Sequence, residues 1–194
     1  MTVLLIAGSP TERSRSQALL EAVGQRLSRA GRTVERLPVR QLDPTALLVA
    51  DASERGIARA VDQLATAQAV VVATPVYKAA YSGLLKVFLD LLPQTALQGK
   101  TVLPLATGGS PHHMLALDYA LRPVLQSLSA RHILSGVYAT DSQVTWTPEG
   151  AFTLADEIGR RIDAAVEALS DAIAPTVPRP GFAPIAFAQV QHSV

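Results

Sequence analysis

Three short stretches of the chain carry residues suited to holding a charged, flat ligand. The first is Gly8-Ser9-Pro10-Thr11-Glu12-Arg13-Ser14-Arg15-Ser16, directly after the apolar run 3–7. The hydroxyls of Ser9, Ser14 and Ser16 and the charges of Arg13 and Arg15 suit a phosphate. The unpaired N–H groups and positive dipole end of a helix starting there point the same way. The second stretch runs from Thr74 to Gly83, with Tyr77 and Tyr81 as aromatic groups and Pro75 and Val76 as a flat apolar rim. The third is Thr107-Gly108-Gly109-Ser110, where missing side chains let backbone approach a ring closely. Each stretch alone reads equally as a turn or as packing. Their occurrence at three successive strand ends gives them weight together. A phosphate grip, an aromatic rim and bare backbone N–H groups fit a mononucleotide whose base lies flat, and FMN matches that set. The chain has neither Gly-x-Gly-x-x-Gly nor a Walker A sequence.

The elements that must position these loops follow from hydrophobic periodicity. Strands are expected over 3–7, 33–39, 69–74, 101–107 and 133–140. Helices are expected over 16–30, over about 54–64 behind a capping box of Asp51 and Glu54, over 82–92 and over 112–130. A last helix is expected after Pro148, with Leu154, Ile158, Ile162, Val166, Leu169 and Ile173 at helical spacing, and 41–52 reads as a loop. Strict alternation predicts an α/β doubly wound sheet of five parallel strands with helices on both faces, in the order 2-1-3-4-5. Ligands of such sheets sit at the carboxyl ends of the strands, where the three stretches lie. Residues 1–174 are expected to form one domain. The proline-rich segment 175–194 reads either as a disordered end or as an arm on a neighbouring subunit.

Composition narrows the partners. With 48% hydrophobic and 17% charged residues the chain is apolar, which points to surface buried between subunits. A net charge of +1, with 17 scattered basic residues, supplies no field for nucleic acid or anionic membrane. No apolar run reaches the ~20 residues of a membrane span, and the expected location is cytoplasmic. The absence of cysteine excludes disulfides, thiolate catalysis and iron–sulfur ligation. His112 and His113 are adjacent, hence about 100° apart on a helix, and no metal site is expected. The helices over 82–92 and 112–130 are apolar on too many sides for a single sheet contact, which predicts a homodimer or homotetramer through them. Pro123 has no N–H for the carbonyl of Tyr119 four residues earlier. A kink or π-bulge is expected there, with Tyr119 turned towards a partner subunit.

Together, Gly8-Ser9-Pro10 with Ser14-Arg15-Ser16, the stretch Thr74 to Gly83, Leu105-Ala106-Thr107-Gly108-Gly109 and Asp118-Tyr119-Ala120-Leu121 resemble the NAD(P)H-dependent FMN reductases of flavodoxin-like fold. The pattern is most similar to the reductase component of two-component alkanesulfonate monooxygenase systems. The resemblance covers about 1–144. It implies hydride transfer from NADPH or NADH to FMN and delivery of reduced flavin to a partner monooxygenase. It implies that Ser9, Ser14, Arg15 and Ser16 hold the FMN phosphate, that Pro75, Val76 and Tyr77 line the ring, and that Gly108 and Gly109, flanked by Thr107 and Ser110, meet its pyrimidine edge. Tyr119 matches a tyrosine that forms a π-helix at the tetramer interface and stacks near the flavin of another subunit. Two positions depart from the wider family: Thr11 stands where arginine is frequent, and Ser16 where asparagine is. Whether Arg13 replaces the missing charge stays open, as does NADPH against NADH. The alternatives are an FMN-containing quinone or azo reductase of the same fold and a flavodoxin-like electron carrier.

Overall fold

A computed structural model describes residues 1–174; the segment 175–194, and with it the expected arm, lies outside the described residues. Four parallel strands form the body of the sheet: β1 (Thr2–Ala7), β2 (Thr33–Pro38), β3 (Ala69–Tyr77) and β5 (Thr101–Gly108). The fifth position is shared by β6 (His132–Ile133) and β7 (Val137–Thr140), both parallel to β5. Counting that broken strand once, the order is the expected 2-1-3-4-5, with the more polar β2 on one edge. The helices are α1 (Arg15–Arg29), α2 (Pro44–Leu48), α3 (Arg55–Thr66), α4 (Gly83–Asp90), α5 (Arg122–Ser127) and α6 (Asp156–Ala172).

Period-two alternation divides the core into two layers. Leu4, Ile6, Val70, Val72 and Val102 face α3, α4 and α5, where Ile57, Leu64, Leu85, Phe88, Leu121 and Leu125 cover them. Val3, Leu5, Val71, Leu103, Leu105 and Val137 face α1 and α6, under Leu19, Val23, Leu27, Ile158, Ile162 and Leu169. Both faces of β3 and β5 are therefore buried, as their unbroken apolar sequences require.

Several local expectations are corrected. The stretch 41–52 contains α2, capped by Asp43, whose side chain accepts the N–H of Ala46 at 2.7 Å. Leu47 is buried and lines an apolar hollow with Leu84 and Val87 of α4. Part of the apolar excess on α4 is thus covered within the chain. Asp51 does not cap α3. Its carboxylate takes the N–H and hydroxyl of Ser53, and Glu54 is itself the cap, accepting from Ile57 at 2.9 Å. The strand expected at 133–140 breaks at 134–136, where Gly136 packs so tightly that a Cβ would lie 2.8 Å from Leu117 and 3.0 Å from the carbonyl of Pro104. A small antiparallel hairpin, β8 (Val144–Trp146) and β9 (Phe152–Leu154), precedes α6, so Leu154 belongs to a strand.

The single helix expected over 112–130 is three different turns in series. Pro111–Leu115 is a 3-10 turn, Leu117–Leu121 is a π-turn, and α5 follows. The π-turn contains Tyr119, four residues before Pro123, as the missing N–H predicts. Leu117 and Leu121 point into the core, while Tyr119 is 79% exposed. Met114 and Leu115 are exposed beside it. No helix among the described residues is long and apolar enough to cross a membrane.

The join between β1 and α4 is tightly packed. A Cβ on Gly8 would lie 2.8 Å from Cβ of Leu85 and 3.1 Å from the carbonyl of Ala73, whereas a Cβ on Gly83 meets nothing within 4 Å. Gly8→Ala is expected to cost about 1–3 kcal/mol by overpacking. Gly83→Ala, at the start of α4, is expected to be neutral or to stabilise by about 0.5–1 kcal/mol. Urea midpoints of the two variants against the parent check the opposite signs.

Candidate functional site

The three sequence stretches converge at the carboxyl ends of β1, β3 and β5, where they border a cavity of about 230 Å³. Its walls are Thr11, Arg13, Ser14 and Arg15 on one side and Pro75, Val76 and Tyr77 on another, with Thr107, Gly108 and Gly109 below. The end of β7 and the β8–β9 hairpin close it with Asp141 and Trp146. A larger hollow, about 360 Å³, lies at the opposite end of the sheet, beside Val61, Leu64 and Lys100. Among the described residues Lys100 is its only charged side chain, and its ammonium already caps α3 through the carbonyls of Ala65 and Ala67 at 2.9 and 2.6 Å. That hollow has no set of polar groups converging on a ligand, and the chemistry is assigned to the strand-end cavity.

A buried polar knot sets the first two loops against each other. The N–H of Gly8 donates to the carbonyl of Ala73 at 2.8 Å, continuing the β1–β3 ladder one residue further. Ser82, 1% exposed, donates its hydroxyl to the carbonyl of Gly8 and accepts the N–H of Leu85 at 3.1 Å, so it also caps α4. The N–H of Ser82 donates to Oγ1 of Thr74 at 2.9 Å. Beyond Pro75, which still pairs with Thr107 of β5, β3 leaves the parallel sheet and turns back as β4 (Ala80–Tyr81), with Val76 opposite Tyr81 and Tyr77 opposite Ala80. The turn residues Lys78 and Ala79 have φ of 50° and 65°. Two left-handed residues make the tight hairpin turn that matches strand twist, here without glycine. Tyr77 stands 49% exposed at the cavity edge.

The first loop has already committed several of its groups. Ser14 is the N-cap of α1, its hydroxyl accepting the N–H of Gln17 at 3.1 Å and lying 3.3 Å from the hydroxyl of Ser16. Ser9 is buried and accepts the N–H of Thr11 at 3.2 Å. Nε of Arg15 donates to the carbonyls of Asp141 and Val144, both at 3.1 Å, and its Nη1 lies 3.6 Å from the Asp141 carboxylate. Arg15 therefore ties α1 to the connection between β7 and β8. Glu12 turns away to Arg40 at 3.3 Å. Arg13 lies over the Trp146 ring, 5.2 Å from its centroid. Trp146 is braced edge-on by Phe152 across the hairpin.

The third loop is shaped by Tyr138. Its hydroxyl donates to the carbonyl of Ser110 at 2.6 Å, and burial pushes its pKa up, so it remains a donor at neutral pH. A Cβ on Gly108 would come within 2.5 Å of that hydroxyl and 3.3 Å of Val76, so only glycine fits between the two. Ser110 caps the following 3-10 turn by accepting from His112 at 3.3 Å.

Of the residues expected from sequence, Arg13, Ser14, Arg15, Pro75, Val76, Tyr77, Thr107, Gly108 and Gly109 line one cavity. Ser9 and Ser16 are buried behind it, Ser110 supports its floor, and Tyr119 does not line the cavity of its own chain. Thr11, Asp141 and Trp146 line it without having been singled out as binding groups. The signal for Asp141 was available, since it follows the end of a fourth neighbouring strand. Trp146 had a weaker one, being the only tryptophan in the chain. Among the described residues no three His, Asp or Glu side chains gather as metal ligands.

The donor set fits FMN. Cations and hydroxyls occupy one end of the cavity, an apolar and aromatic wall one side, and backbone without side chains the floor. The family model for NADPH-dependent FMN reductases matches residues 1–145. The chain is 47% identical over 174 residues to the FMN reductase (NADPH) of Escherichia coli K12, covering 89% of this chain and 90% of that one. It is 49% identical over 146 residues to the FMN reductase (NADPH) of Pseudomonas putida KT2440, covering 75% and 74%. The crystal structure of the NADH:FMN oxidoreductase EmoB in its apo form superposes with a TM-score of 0.80 at 40% identity, over 91% of both chains. With fold, cavity and sequence in agreement, the chain belongs to the NADPH-dependent FMN reductase family and is an oxidoreductase that works with FMN and a reduced nicotinamide nucleotide.

Proposed function

We propose that this enzyme reduces FMN as a diffusible substrate and delivers the reduced flavin to a flavin-dependent monooxygenase, the alkanesulfonate system being the choice that the sequence resemblance favours. The single observation that carries the flavin assignment is the division of the strand-end cavity into an anionic-ligand end at Arg13–Arg15 and a ring-binding end at Pro75–Tyr77 and Thr107–Gly109. The two nucleotides supply the chemistry, a hydride passing from the nicotinamide C4 to the flavin N5. The protein's work is to hold two rings face to face and exclude water between them. Val76 and Tyr77 form the wall against which a ring lies. The N–H groups of Gly108 and Gly109 are the donors assigned to the negative charge that grows on the pyrimidine edge. Among the described residues Asp141 is the only acid on the cavity wall; it lies against Arg15 and is assigned no proton transfer.

Release of the product is the second requirement. Tyr119, on the π-turn with Met114 and Leu115 exposed beside it, forms a surface for a second copy of this chain. We assign Tyr119 to competition for the flavin face across that interface. The proposed assembly is a homodimer or homotetramer, and the cytoplasm is the proposed location.

Two outcomes follow. Oxidation of NADPH and NADH, followed at 340 nm against FMN, FAD and riboflavin, should saturate with FMN at concentrations far above that of enzyme. Activity that saturates at one FMN per chain and then requires an added quinone would identify a prosthetic-flavin quinone reductase. Tyr119→Ala should retain FMN through gel filtration and turn over free flavin more slowly by about tenfold. Unchanged retention together with unchanged turnover would remove Tyr119 from the release step.

A further inference from the structure

The first loop holds two arginines with different occupations. Nε of Arg15 is committed to the backbone carbonyls of Asp141 and Val144, and its Nη1 lies 3.6 Å from the Asp141 carboxylate. Arg13 is held on Trp146, and among the described residues no carboxylate lies within 4.0 Å of it. The acid nearest to it in sequence, Glu12, is paired with Arg40. A guanidinium over an aromatic ring is attracted through its charge, and it carries five N–H donors in a planar fork. Trp146 therefore helps to fix where Arg13 sits. The turn of the β8–β9 hairpin leaves room for this, since a Cβ on Gly150 would come within 3.1 Å of the Arg13 Nη2. Both Arg13 and Trp146 border the cavity, beside the hydroxyl-bearing Thr11 and Ser14.

We infer that Arg13, seated on Trp146, is the residue by which this enzyme selects a phosphate monoester, while Arg15 is a positioning residue that fastens the β8–β9 hairpin carrying Trp146. This rests on the reading of the cavity as the nucleotide site. Arg13 borders the cavity with no carboxylate within 4.0 Å of it among the described residues, the acid Asp141 on the wall lying against Arg15 instead, and its planar donor fork suits bidentate contact with a dianionic phosphate. Two ligands of the reaction carry such a group: FMN at its ribityl end and NADPH on its adenosine ribose. Riboflavin and NADH are the same molecules without it.

Calorimetric titration of the full-length protein with FMN, riboflavin, NADP⁺ and NAD⁺ tests the inference. In the parent, one phosphorylated ligand binds more tightly than its unphosphorylated counterpart. In Arg13→Ala that preference should fall about tenfold or more, the usual effect of losing a charge-assisted contact. A fall confined to FMN over riboflavin places the flavin phosphate on Arg13, and one confined to NADP⁺ over NAD⁺ places the ribose phosphate there. Arg13→Lys, which keeps charge but loses the planar fork, should recover only part of the preference. Trp146→Ala should lower the same preference in the parent and change it no further in Arg13→Ala. Arg15→Ala should weaken both members of each pair together, because it loosens the wall rather than a phosphate contact. Arg13→Ala with both preferences within twofold of the parent overturns the assignment. A parent protein that binds neither flavin nor nicotinamide nucleotide overturns the cavity reading itself, and this one with it.

Discussion

One buried hydroxyl, that of Ser82, holds the site together. It bonds the carbonyl of Gly8 at the end of β1 and caps α4, while its own backbone N–H is fixed by Thr74 at the end of β3. Buried polar groups without partners are costly, so each of these bonds is enforced by the others. The loop that presents Arg13, Ser14 and Arg15 and the wall of Pro75, Val76 and Tyr77 can therefore sit in only one mutual arrangement. The sheet delivers the strand ends to one edge, and this knot converts that coarse placement into a defined cavity.

From there the site grows by tying later elements back to earlier ones. Arg15, in the first turn of α1, reaches across to the carbonyls of Asp141 and Val144 and anchors the connection that leads to Trp146. Tyr138, on β7, reaches to Ser110 and leaves only glycine room at residue 108. The chain thus closes its cavity with long-range contacts from polar side chains, while the two apolar layers below carry the stability.

What could be read from sequence follows from which signals are local. The apolar runs of β3 and β5, the strand ends near Gly8 and Gly108, and the missing N–H of Pro123 are each written within a few residues and appear in the structure as expected, whereas β3 runs past the expected end at Thr74 to Tyr77 and pairs there with β4. The β8–β9 hairpin was missed because three residues per strand are too few to show alternation, and because Leu154 happens to continue the spacing of α6. The break between β6 and β7 lies where Gly136 meets Pro104 and Leu117, a long-range packing contact with no local signature. Arg15 lines the cavity, as its place in the first loop predicts. Its bonds to Asp141 and Val144 involve residues more than a hundred positions away, which no motif encodes.

The turn between β3 and β4 has a consequence for how the cavity wall behaves. Lys78 and Ala79 hold a left-handed backbone that glycine would adopt more readily. A glycine turn would be cheaper to form but freer to swing in the unfolded chain and less determined in the folded one. By using two residues with side chains, the chain accepts local backbone strain in exchange for a stiff arm. The aim of Tyr77 is then set by covalent geometry before any ring arrives. Such a wall has little to reorganise on each encounter, which suits a surface that must receive and give up a ligand at every turnover.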